Sequence, residues 1–434
     1  MRAILKGLLL ALFVCVLPVA CGPEEPGSSG EPGPEVRLLR ADTQRIQSPD
    51  VTEEQVAELV RGNNAFAFDL YRVKGGDGNM IFSPYSISLA FSMAYAGARG
   101  ETETQMAGTL NYLPQQTQHA AFNALEQRMS GLGEKDGGEA PPFQLSVANA
   151  AWGQQGYRFE DAFLETLAGH YGAGLRAIDF GRTEEVSEEI NSWIADETED
   201  RIKDLVSPDI IDASTRLVLA NAIYFKASWL SSFEEEHTQD GQFTTAHGNE
   251  VTVPLMRQTT YLDYAEGDGY QAVRLPYKGD AVDMLVIVPE EGSFEQVEER
   301  LGAGFLDKVS GGLREHYVRL TMPRFDFETD LNLPELLAAM GMKAPFDPGA
   351  ADFSGMTGER EMYISEALHR ANITVDEKGT EAAAATVLAM TVSSVPEPVK
   401  MSADRPFIFA IAERETGEIL FLGRVTDPKR RGPW

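Results

Sequence analysis

The chain has 434 residues, of which 43% are hydrophobic, and it carries a formal net charge of −30 at pH 7. A chain of this kind can bury a sizeable core, and its acidic surface disfavours binding to nucleic acid phosphates and to anionic lipid. The only cysteines are Cys15 and Cys21, so the body that follows can contain neither an internal disulfide nor a cysteine metal site.

The N-terminus has the features of an export signal. Arg2 and Lys6 provide positive charge, and residues 4–19 form an apolar run that is short for a membrane span. Small residues precede Cys21, so the segment resembles a bacterial lipoprotein signal, in which the chain is cleaved before this cysteine and the cysteine is lipidated. Pro18 occupies the position where such signals usually carry Leu, and an ordinary secretory signal is the alternative. We expect an exported protein, either an outer-membrane or cell-surface lipoprotein or a secreted, extracellular or periplasmic one.

The composition changes after this signal, which we place at residues 1–21. Residues 22–50 are polar and rich in Pro and Gly, which predicts a disordered tether. From residue 51 the sequence is that of a folded body. Because no second linker follows, we assign residues 51–428 to a single domain and residues 429–434 to a C-terminal tail.

The first half of this body favours helices. Residues 52–72 place apolar side chains at helical spacing, which predicts an amphipathic helix. Residues 84–98 are apolar on almost every face and predict a buried helix. Residues 130–142 are rich in Gly and in charged side chains, which predicts a loop.

The second half favours strands. Alternating or β-branched runs cover residues 143–152, part of 216–229, 281–289 and 317–327. Two apolar segments near the C-terminus, 406–411 and 419–425, are separated by a polar turn and predict a hairpin. Helices early in the chain and strands late in it indicate an α+β fold class.

The sequence lacks the spacing patterns of common catalytic and cofactor sites. Its six histidines are scattered and form no H-E-x-x-H pair, and there is neither a G-x-S-x-G elbow nor a P-loop. We therefore expect no enzymatic activity, no cofactor and no metal site.

Residues 372–406 contain the most informative segment. A short strand ends near Val375, and Gly379 interrupts it and can serve as a hinge. The alanines at 382–385 favour a helix by propensity, whereas the Thr and Val residues that follow favour a strand. In a strand of period two, one face of this segment is uncharged throughout and consists of Thr380, Ala382, Ala384, Thr386, Leu388 and Met390. Such a segment can lie exposed, or it can be inserted into a sheet without burying a charge.

With these residues in view, the chain resembles the serpin family of serine protease inhibitors. Five blocks match motifs of the family in the family's order, namely residues 79–87, 97–102, 221–229, 377–386 and 401–411. The resemblance extends from about residue 51 to residue 428. Several long motifs in register are far more specific than any one of them.

The resemblance implies a metastable fold of three β-sheets and eight or nine helices with an exposed reactive-centre loop. It also implies a function as a suicide substrate. A serine protease cuts the loop and forms an acyl-enzyme, the hinge inserts as a new strand into the main sheet, and the protease is distorted before it can deacylate.

The resemblance assigns roles to three groups of residues. The hinge comprises Glu377, Gly379, Thr380, Ala382, Ala384 and Thr386. The shutter, a polar cluster beneath the strands that open, comprises Ser83, Ser86, Asn221 and His369. The breach, where insertion starts, comprises Trp229, Arg324 and Glu377, of which the last two are expected to form an ion pair.

The spacing from Glu377 that is usual in the family puts the scissile bond between Ser393 and Ser394. Val392, Val395 and Met390 are alternative residues before the bond. Because no Arg or Lys lies between Thr380 and Pro398, we expect elastase-like or subtilisin-like serine proteases as targets rather than trypsin-like ones, with papain-like cysteine proteases as a second class.

The alternative function is that of a non-inhibitory serpin, which serves as a chaperone, carrier or storage protein. Such relatives usually carry charged or bulky residues, or Pro, on the inward face of the hinge, and this hinge has none there. We further expect a monomer that binds no nucleic acid and that reaches a membrane only through a lipid on Cys21.

Overall fold

The helices occupy much of the first half of the chain. The computed structural model describes residues 35–132, 143–380 and 397–429, and the α-helices in these ranges are α1 (Glu53–Lys74), α2 (Pro84–Tyr95), α3 (Gly100–Leu110), α4 (Gln115–Leu132), α5 (Asp161–Tyr171), α6 (Thr183–Glu197), α7 (Phe294–Glu299), α8 (Ala303–Gly312), α9 (Leu333–Ala339) and α10 (Ser354–Thr357). Short 3-10 turns occur at Pro208–Ile210, Glu235–His237 and Ala344–Phe346.

The strands form two sheets. They are β1 (Arg37–Leu39), β2 (Met80–Phe82), β3 (Phe143–Gln154), β4 (Leu175–Ile178), β5 (Leu217–Ser228), β6 (Gln239–Thr244), β7 (Glu250–Gly267), β8 (Tyr270–Pro276), β9 (Val282–Pro289), β10 (Arg314–Pro323), β11 (Phe325–Asn332), β12 (Ile364–Val375), β13 (Gly379–Thr380), β14 (Val399–Ser402), β15 (Phe407–Glu413) and β16 (Ile419–Val425). The seven-stranded sheet has the order β1-β4-β3-β5-β13-β12-β11. The nine-stranded sheet has the order β14-β10-β7-β8-β9-β15-β16-β2, with β6 paired to β7.

The α+β class predicted from the sequence is confirmed, and the sheet count differs from the expected three. The long strand β7 pairs with β10 along most of its length and with β8 at its C-terminal end, so two groups of strands join into one nine-stranded sheet. Ten helices are found in the described ranges rather than eight or nine, and the shortest, α10, has four residues.

Most sequence-based element predictions are confirmed, with two local differences. The loop expected from residue 130 begins later, because α4 continues to Leu132. The alternating run at 317–327 is two strands, because the chain leaves the nine-stranded sheet at Pro323 and enters the seven-stranded sheet at Phe325. Arg324 lies at this crossing between the two sheets.

Helices α1 and α2 show why these sequences form helices here. Thr52 and Gln55 form a reciprocal capping box at the start of α1, which satisfies two backbone N–H groups that a helix start leaves open. Ser83 caps α2, where Pro84 fits the first turn, and every residue of α2 is buried. A helix buried all round brings its few polar side chains into the core, where they need partners.

The segment before α1 is part of the folded body. Residues 35–50 were expected to belong to a disordered tether, yet β1 pairs antiparallel with β4 at the edge of the seven-stranded sheet. Arg45 donates to Asn123 Oδ1 at 2.9 Å and pairs with Glu126 of α4 at 2.9 Å. These polar contacts hold the segment together with the packing of Val36 and Leu39 against the core.

The feature of the sheet that matters for function is the seam between β5 and β12. These strands run parallel and pair directly from Leu217 to Ile223 and from Ile364 to Ala371. Beyond Ile223 the two strands part, and the two residues of β13 lie between their ends, antiparallel to both. The seam is therefore closed where Leu217–Ile223 pairs with β12, and β13 fills the gap between the two strands beyond Ile223.

Candidate functional site

The hinge residue Thr380 lies inside the sheet. Thr380 pairs with Ala227 of β5 and with Val375 of β12, and its side chain is 1% exposed. Its hydroxyl is 2.7 Å from the hydroxyl of Tyr277. The segment that precedes residue 381 thus already occupies the first position of a strand between β5 and β12.

Gly379 fits this position because of its missing side chain. Its φ is 154°, and a Cβ at this residue would lie 2.0 Å from the carbonyl oxygen of Ala227. Asp376 closes the preceding turn, since its carboxylate accepts hydrogen bonds from the N–H groups of Lys378 at 2.8 Å and Gly379 at 3.2 Å. Any larger residue would push the chain away from β5.

Two aromatic side chains, Trp229 and Tyr277, support the position at which Thr380 enters the sheet. Trp229 and Tyr277 stack with ring centroids 4.5 Å apart and an angle of 12° between the rings. The Trp229 indole N–H donates to the carbonyl oxygen of Asp376 at 3.0 Å, and its backbone N–H donates to that of Lys378 at 2.9 Å. Trp229 therefore holds the turn before the hinge, and Tyr277 holds Thr380.

Arg324 and Glu377 form the ion pair expected at the breach. The guanidinium donates to the Glu377 carboxylate through Nη2 at 2.6 Å and through Nε at 2.8 Å, and the Thr238 hydroxyl donates to the same oxygen. Burial alone would raise the pKa of Glu377, but the hydrogen bonds from Arg324 and Thr238 outweigh it and lower this pKa below its ordinary value. The carboxylate is therefore charged at neutral pH and ties β11 to the hinge turn.

The four residues expected in the shutter are in one hydrogen-bonded cluster. The backbone N–H of Ser83 donates to His369 Nε2 at 3.1 Å, and His369 Nδ1 contacts the side-chain oxygen of Asn221. The Asn221 amide donates to the carbonyl oxygen of Ser86 at 2.9 Å. Because Nε2 accepts, Nδ1 carries the proton and donates to Asn221. The cluster joins α2 to β5 and β12 directly beneath the closed part of the seam.

Burial controls the charge of the shutter histidine. His369 has no exposed surface, and this burial lowers its pKa from 6.5 to about 3. The imidazole is therefore neutral at physiological pH. Since Asn221 and His369 lie opposite each other in the β5–β12 register, separation of these strands breaks their contact.

Three residues of the site were not found from the sequence. Asn149 of β3 contacts both Asn221 and Ser86, which extends the shutter across a third strand. Tyr277 and Thr238 complete the breach. Each of the three is distant in sequence from its partners and belongs to no recognisable local motif, so a single sequence contains no signal for these contacts.

Several predicted residues lie outside the described part of the chain. These are the hinge residues Ala382, Ala384 and Thr386, the bond residues Ser393 and Ser394, the alternatives Met390, Val392 and Val395, and the lipidation candidate Cys21. The described chain resumes at Glu397, and β14 then pairs parallel with β10. Both ends of the predicted reactive-centre loop are therefore anchored in strands, one in each sheet.

The described ranges lack two general features, a cluster of metal-ligating side chains and a helix suited to cross a membrane. Residues 35–132, 143–380 and 397–429 contain no group of three or more His, Cys, Asp or Glu side chains placed to hold a metal ion. Within the same ranges, none of the helices combines the length and the hydropathy that a membrane-crossing helix needs.

Comparison with known proteins agrees with this geometry. The family model described as "Serpin (serine protease inhibitor)" matches residues 61–428. A serpin-like protein of Thermococcus kodakarensis is 40% identical over 88% of this chain and 88% of its own length. The leukocyte elastase inhibitor of Xenopus laevis is 33% identical over 84% of this chain and 97% of its own. The native-state crystal structure of Tengpin, a thermophilic serpin, superposes with a TM-score of 0.80 at 26% identity, over 91% of this chain and all of that one.

Proposed function

Because the chain belongs to the serpin family, we propose that it inhibits serine proteases as a suicide substrate that traps the acyl-enzyme by inserting its cleaved loop between β5 and β12. One observation carries the proposal. Thr380 is buried between the ends of these two strands and pairs with both. A loop that begins in this position can continue as a strand once its far end is cut free.

The chemistry of trapping is an interrupted hydrolysis. The protease serine attacks the carbonyl of the scissile bond, the peptide nitrogen leaves with the C-terminal fragment, and the N-terminal part of the loop remains joined to the enzyme as an ester. Inhibition requires that insertion is faster than attack of water on this ester. The inhibitor supplies no catalytic group, and its contribution is the movement of the loop.

The strand pairing in the seven-stranded sheet supplies a driving force for insertion of the cleaved loop. The closed part of the seam is a parallel pairing of β5 with β12, whereas β13 is antiparallel to both strands. A strand that continues from Thr380 would replace one parallel ladder by two antiparallel ladders. Antiparallel pairing is slightly more stable per residue, and each new backbone hydrogen bond contributes a net ~0.5–1.5 kcal/mol.

The shutter sets a condition on insertion. Separation of β5 from β12 exposes the polar atoms of Asn221 and His369, and buried polar atoms without partners are costly. The inserted strand must therefore pair with them again. By the period-two pattern of the sequence Thr386 shares a face with Thr380, so its hydroxyl and the backbone groups of its neighbours would meet that requirement in an inserted strand.

The residues of the loop support a choice of target. No Arg or Lys lies between Thr380 and Pro398, so a protease with an acidic specificity pocket finds no partner there. Val, Ser and Met suit a shallow apolar pocket, and we assign the bond to Ser393–Ser394. Similarity to proteins named leukocyte elastase inhibitor supports elastase-like targets. Subtilisin-like serine proteases, and papain-like cysteine proteases as the second class, are proposed from the loop residues alone.

The decisive experiment is incubation of the mature protein with pancreatic elastase and with subtilisin. We expect a covalent complex that survives SDS and a released C-terminal fragment that mass spectrometry finds to begin at Ser394. Cleavage without an SDS-stable complex would contradict the inhibitor proposal and favour the carrier, chaperone or storage alternative. A fragment that begins outside residues 391–396 would contradict only the bond assignment.

We also propose that the protein acts outside the cell, tethered through Cys21 if this residue is lipidated. The apolar N-terminal run and the small residues before Cys21 support the proposal. Membrane fractionation of the Cys21→Ser variant tests it. Release of the variant into the soluble fraction supports the tether, and unchanged partitioning contradicts it.

A further inference from the structure

The turn of the β15–β16 hairpin buries a carboxyl group. Glu418 immediately precedes β16 and has no exposed surface. Its Oε1 atom accepts a hydrogen bond from the side-chain amide of Asn63 of α1 at 3.1 Å. Its Oε2 atom is also buried and has no hydrogen-bond partner among the described residues. One oxygen of a fully buried carboxyl group is therefore left without a donor.

Asn63 and its neighbour hold Glu418 in this position. The Oδ1 atom of Asn63 accepts a hydrogen bond from the hydroxyl of Ser88 of α2 at 2.7 Å, so the amide presents its NH2 group to Glu418. The next residue, Asn64, accepts from the N–H group of Ile419 at 3.0 Å. These bonds connect the hairpin turn to two helices of the core and direct the Glu418 side chain into the interior.

A second buried carboxylate in the same turn opposes ionisation of Glu418. Glu413 is 2% exposed, and its carboxylate accepts hydrogen bonds from the N–H groups of Glu415 at 2.8 Å and Thr416 at 2.6 Å and from the Thr416 hydroxyl. All three groups donate, so Glu413 acts as the acceptor of the turn. A negative charge on Glu418 would lie beside it, and two like charges in one buried site disfavour each other.

The titratable groups on the surrounding helices supply no compensating charge. Burial raises the pKa of the Tyr85 hydroxyl on α2 well above its ordinary value, so this group is neutral. The cations of this region form ion pairs elsewhere, Arg128 with Glu53 at 2.8 Å and Arg45 with Glu126 at 2.9 Å. Within the part of the chain that the structure describes, Glu418 therefore has no counter-ion.

These contacts suit a neutral carboxylic acid better than a carboxylate. An ion removed from water without a counter-ion is far more costly than a neutral hydroxyl that lacks one acceptor. Burial raises the pKa of Glu418 well above its ordinary value of 4.5, the hydrogen bond from Asn63 opposes this shift, and the charge of Glu413 adds to it. The folded protein therefore holds a proton on Glu418 at pH values where the unfolded chain has lost it.

We propose that Glu418 is a pH-sensitive switch in the fold: with its proton bound the side chain docks the β15–β16 turn on α1, and loss of the proton releases this turn. The hairpin also packs against the seven-stranded sheet, where Phe421 of β16 contacts Phe225 of β5 with ring centroids 6.0 Å apart. The switch thus stabilises a hairpin that supports a strand of the seam. The inference does not depend on the proposed inhibitory function.

The stability that this switch contributes falls as the pH rises. It is fully present below the pKa of 4.5 that Glu418 has in the unfolded chain, and it is lost as the pH rises towards the higher pKa of the folded state. Within this window each pH unit changes the unfolding equilibrium constant about tenfold. His369 acts in the opposite direction, but its contribution cancels when a variant and the wild type are compared at the same pH.

The test compares the wild type with E418Q, which keeps the shape of the side chain and the acceptor for Asn63 but cannot ionise. E415Q is the matched control, because Glu415 is an exposed acid in the same turn. Denaturant titrations at pH 5, 7 and 9 give the unfolding equilibrium constant. From pH 5 to pH 7 this constant should rise about tenfold or more in the wild type relative to E418Q, and E415Q should follow the wild type.

Two further measurements report on the proton and on the turn. At pH 6 the infrared spectra of the wild type and of E415Q should contain the C=O stretch of a buried protonated carboxylic acid that E418Q lacks. At pH 9 hydrogen exchange of residues 413–422 should be about tenfold faster in the wild type than in E418Q, because the released turn no longer protects the N–H group of Ile419.

An unfolding constant with the same pH dependence in the wild type and in E418Q would overturn the inference. Infrared spectra of these two proteins that are identical in the carboxylic acid region at pH 6 would also overturn it, because Glu418 would then be ionised in the folded protein. If E418Q does not fold, E418M takes its place in both comparisons, since it cannot ionise either and fills a similar volume.

Discussion

Thr380 adjoins the predicted reactive-centre loop and is nevertheless part of the sheet. It is the last described residue before the loop, yet it is buried between β5 and β12 and bonded to Tyr277. Its strand partners are Ala227 and Val375, and its hydroxyl contacts that of Tyr277. Whatever stands at this position must therefore be uncharged and small for insertion to proceed.

The Thr380→Arg variant is expected to be a substrate rather than an inhibitor. Because Thr380 is already buried in the uncleaved sheet, Arg at this position would withdraw the hinge from the sheet, and insertion would then have to bury a guanidinium. A cost of only ~1.4 kcal/mol in the insertion barrier already slows that step about tenfold. The ester is then hydrolysed before the protease is trapped. The ratio of cleaved protein to SDS-stable complex, measured on gels after reaction with elastase or subtilisin, should rise at least tenfold. Thr380→Ser keeps the hydroxyl and serves as the control; a wild-type ratio for Thr380→Arg would contradict this account of the hinge.

His369 makes the closed seam sensitive to acid. Burial lowers its pKa from 6.5 to about 3, so the folded protein binds fewer protons than the unfolded chain between these values. The stability that the neutral histidine contributes is therefore present above pH 6.5 and is lost as the pH falls from 6.5 towards 3. At pH 5 the loss is ~2 kcal/mol, at about 1.4 kcal/mol per pH unit.

Denaturant titrations at pH 7 and pH 5 test this dependence. We expect the His369→Gln variant to be less stable at pH 7 but to lose ~2 kcal/mol less than wild type between the two pH values. His247→Gln, at an exposed position, should leave the difference unchanged. An identical pH dependence for wild type and His369→Gln would show that His369 is not responsible.

At the scale of the elements, the N-terminal segment is the part whose role was least expected. It adds β1 to the edge of the seven-stranded sheet and lies against α4 and α5 through Arg45 and Ile46. Ile46 donates its N–H to the carbonyl oxygen of Gly169 at 2.8 Å and accepts from the amides of Asn123 and Gln127. These contacts fix β4 and the two helices to one another.

Among residues 35–50, we expect substitution of Arg45 to reduce the free energy of unfolding most. Glu126 is half-buried, and burial raises its pKa while Arg45 lowers it in part. Arg45→Ala leaves this carboxylate without its partner and should reduce the free energy of unfolding by ~1–3 kcal/mol. Arg40→Ala, an exposed neighbour, is the control and should change it by less than ~0.5 kcal/mol. Equal midpoints for the two variants in guanidinium titrations would contradict the proposed contribution.

The sequence predicted those elements whose signal is local. The buried helix α2 and the hairpin β15–β16 were predicted from apolar runs. The ion pair of Arg324 with Glu377 was expected from the resemblance to serpins. Strand β1 was missed because its three residues directly follow a Pro/Gly-rich stretch and are too few to show a period, although Val36 and Leu39 pack against the core. Strand β7 was missed because its exposed face is largely polar and its pairing with three partners, β6, β8 and β10, depends on the tertiary fold. Neither fact is encoded in a short window of sequence.

For the whole molecule, the uncleaved state is expected to be less stable than the cleaved state. If about ten loop residues insert, and each contributes ~0.5–1 kcal/mol through new antiparallel pairing, the gain is ~5–10 kcal/mol. In a domain of this size ~1 kcal/mol corresponds to about 1.3 °C in the unfolding temperature. Cleavage within the loop should therefore raise the unfolding temperature by roughly 6–13 °C in calorimetry.

The same measurement on Thr380→Arg provides the control for this prediction. The cleaved variant should show a much smaller rise, because its loop is cut but its first inward residue cannot be buried. A large rise in both proteins would mean that cleavage stabilises the molecule by some route other than insertion at Thr380. No rise in the wild type would contradict insertion itself.

The nine-stranded sheet also constrains when the protein can fold. Strand β16, near the C-terminus, pairs with β2, near the N-terminus, so that Leu422 lies opposite Phe82, and β15 lies between β9 and β16. During synthesis the sheet cannot close until almost the entire chain has emerged, because β15 and β16 join β2 to the rest of the sheet. Under the export proposed above, the chain should therefore cross a secretion channel without competition from premature folding. It then has to fold in one late step whose long-range pairings are intrinsically slow, and a nascent chain stalled a few dozen residues early should be open to degradation.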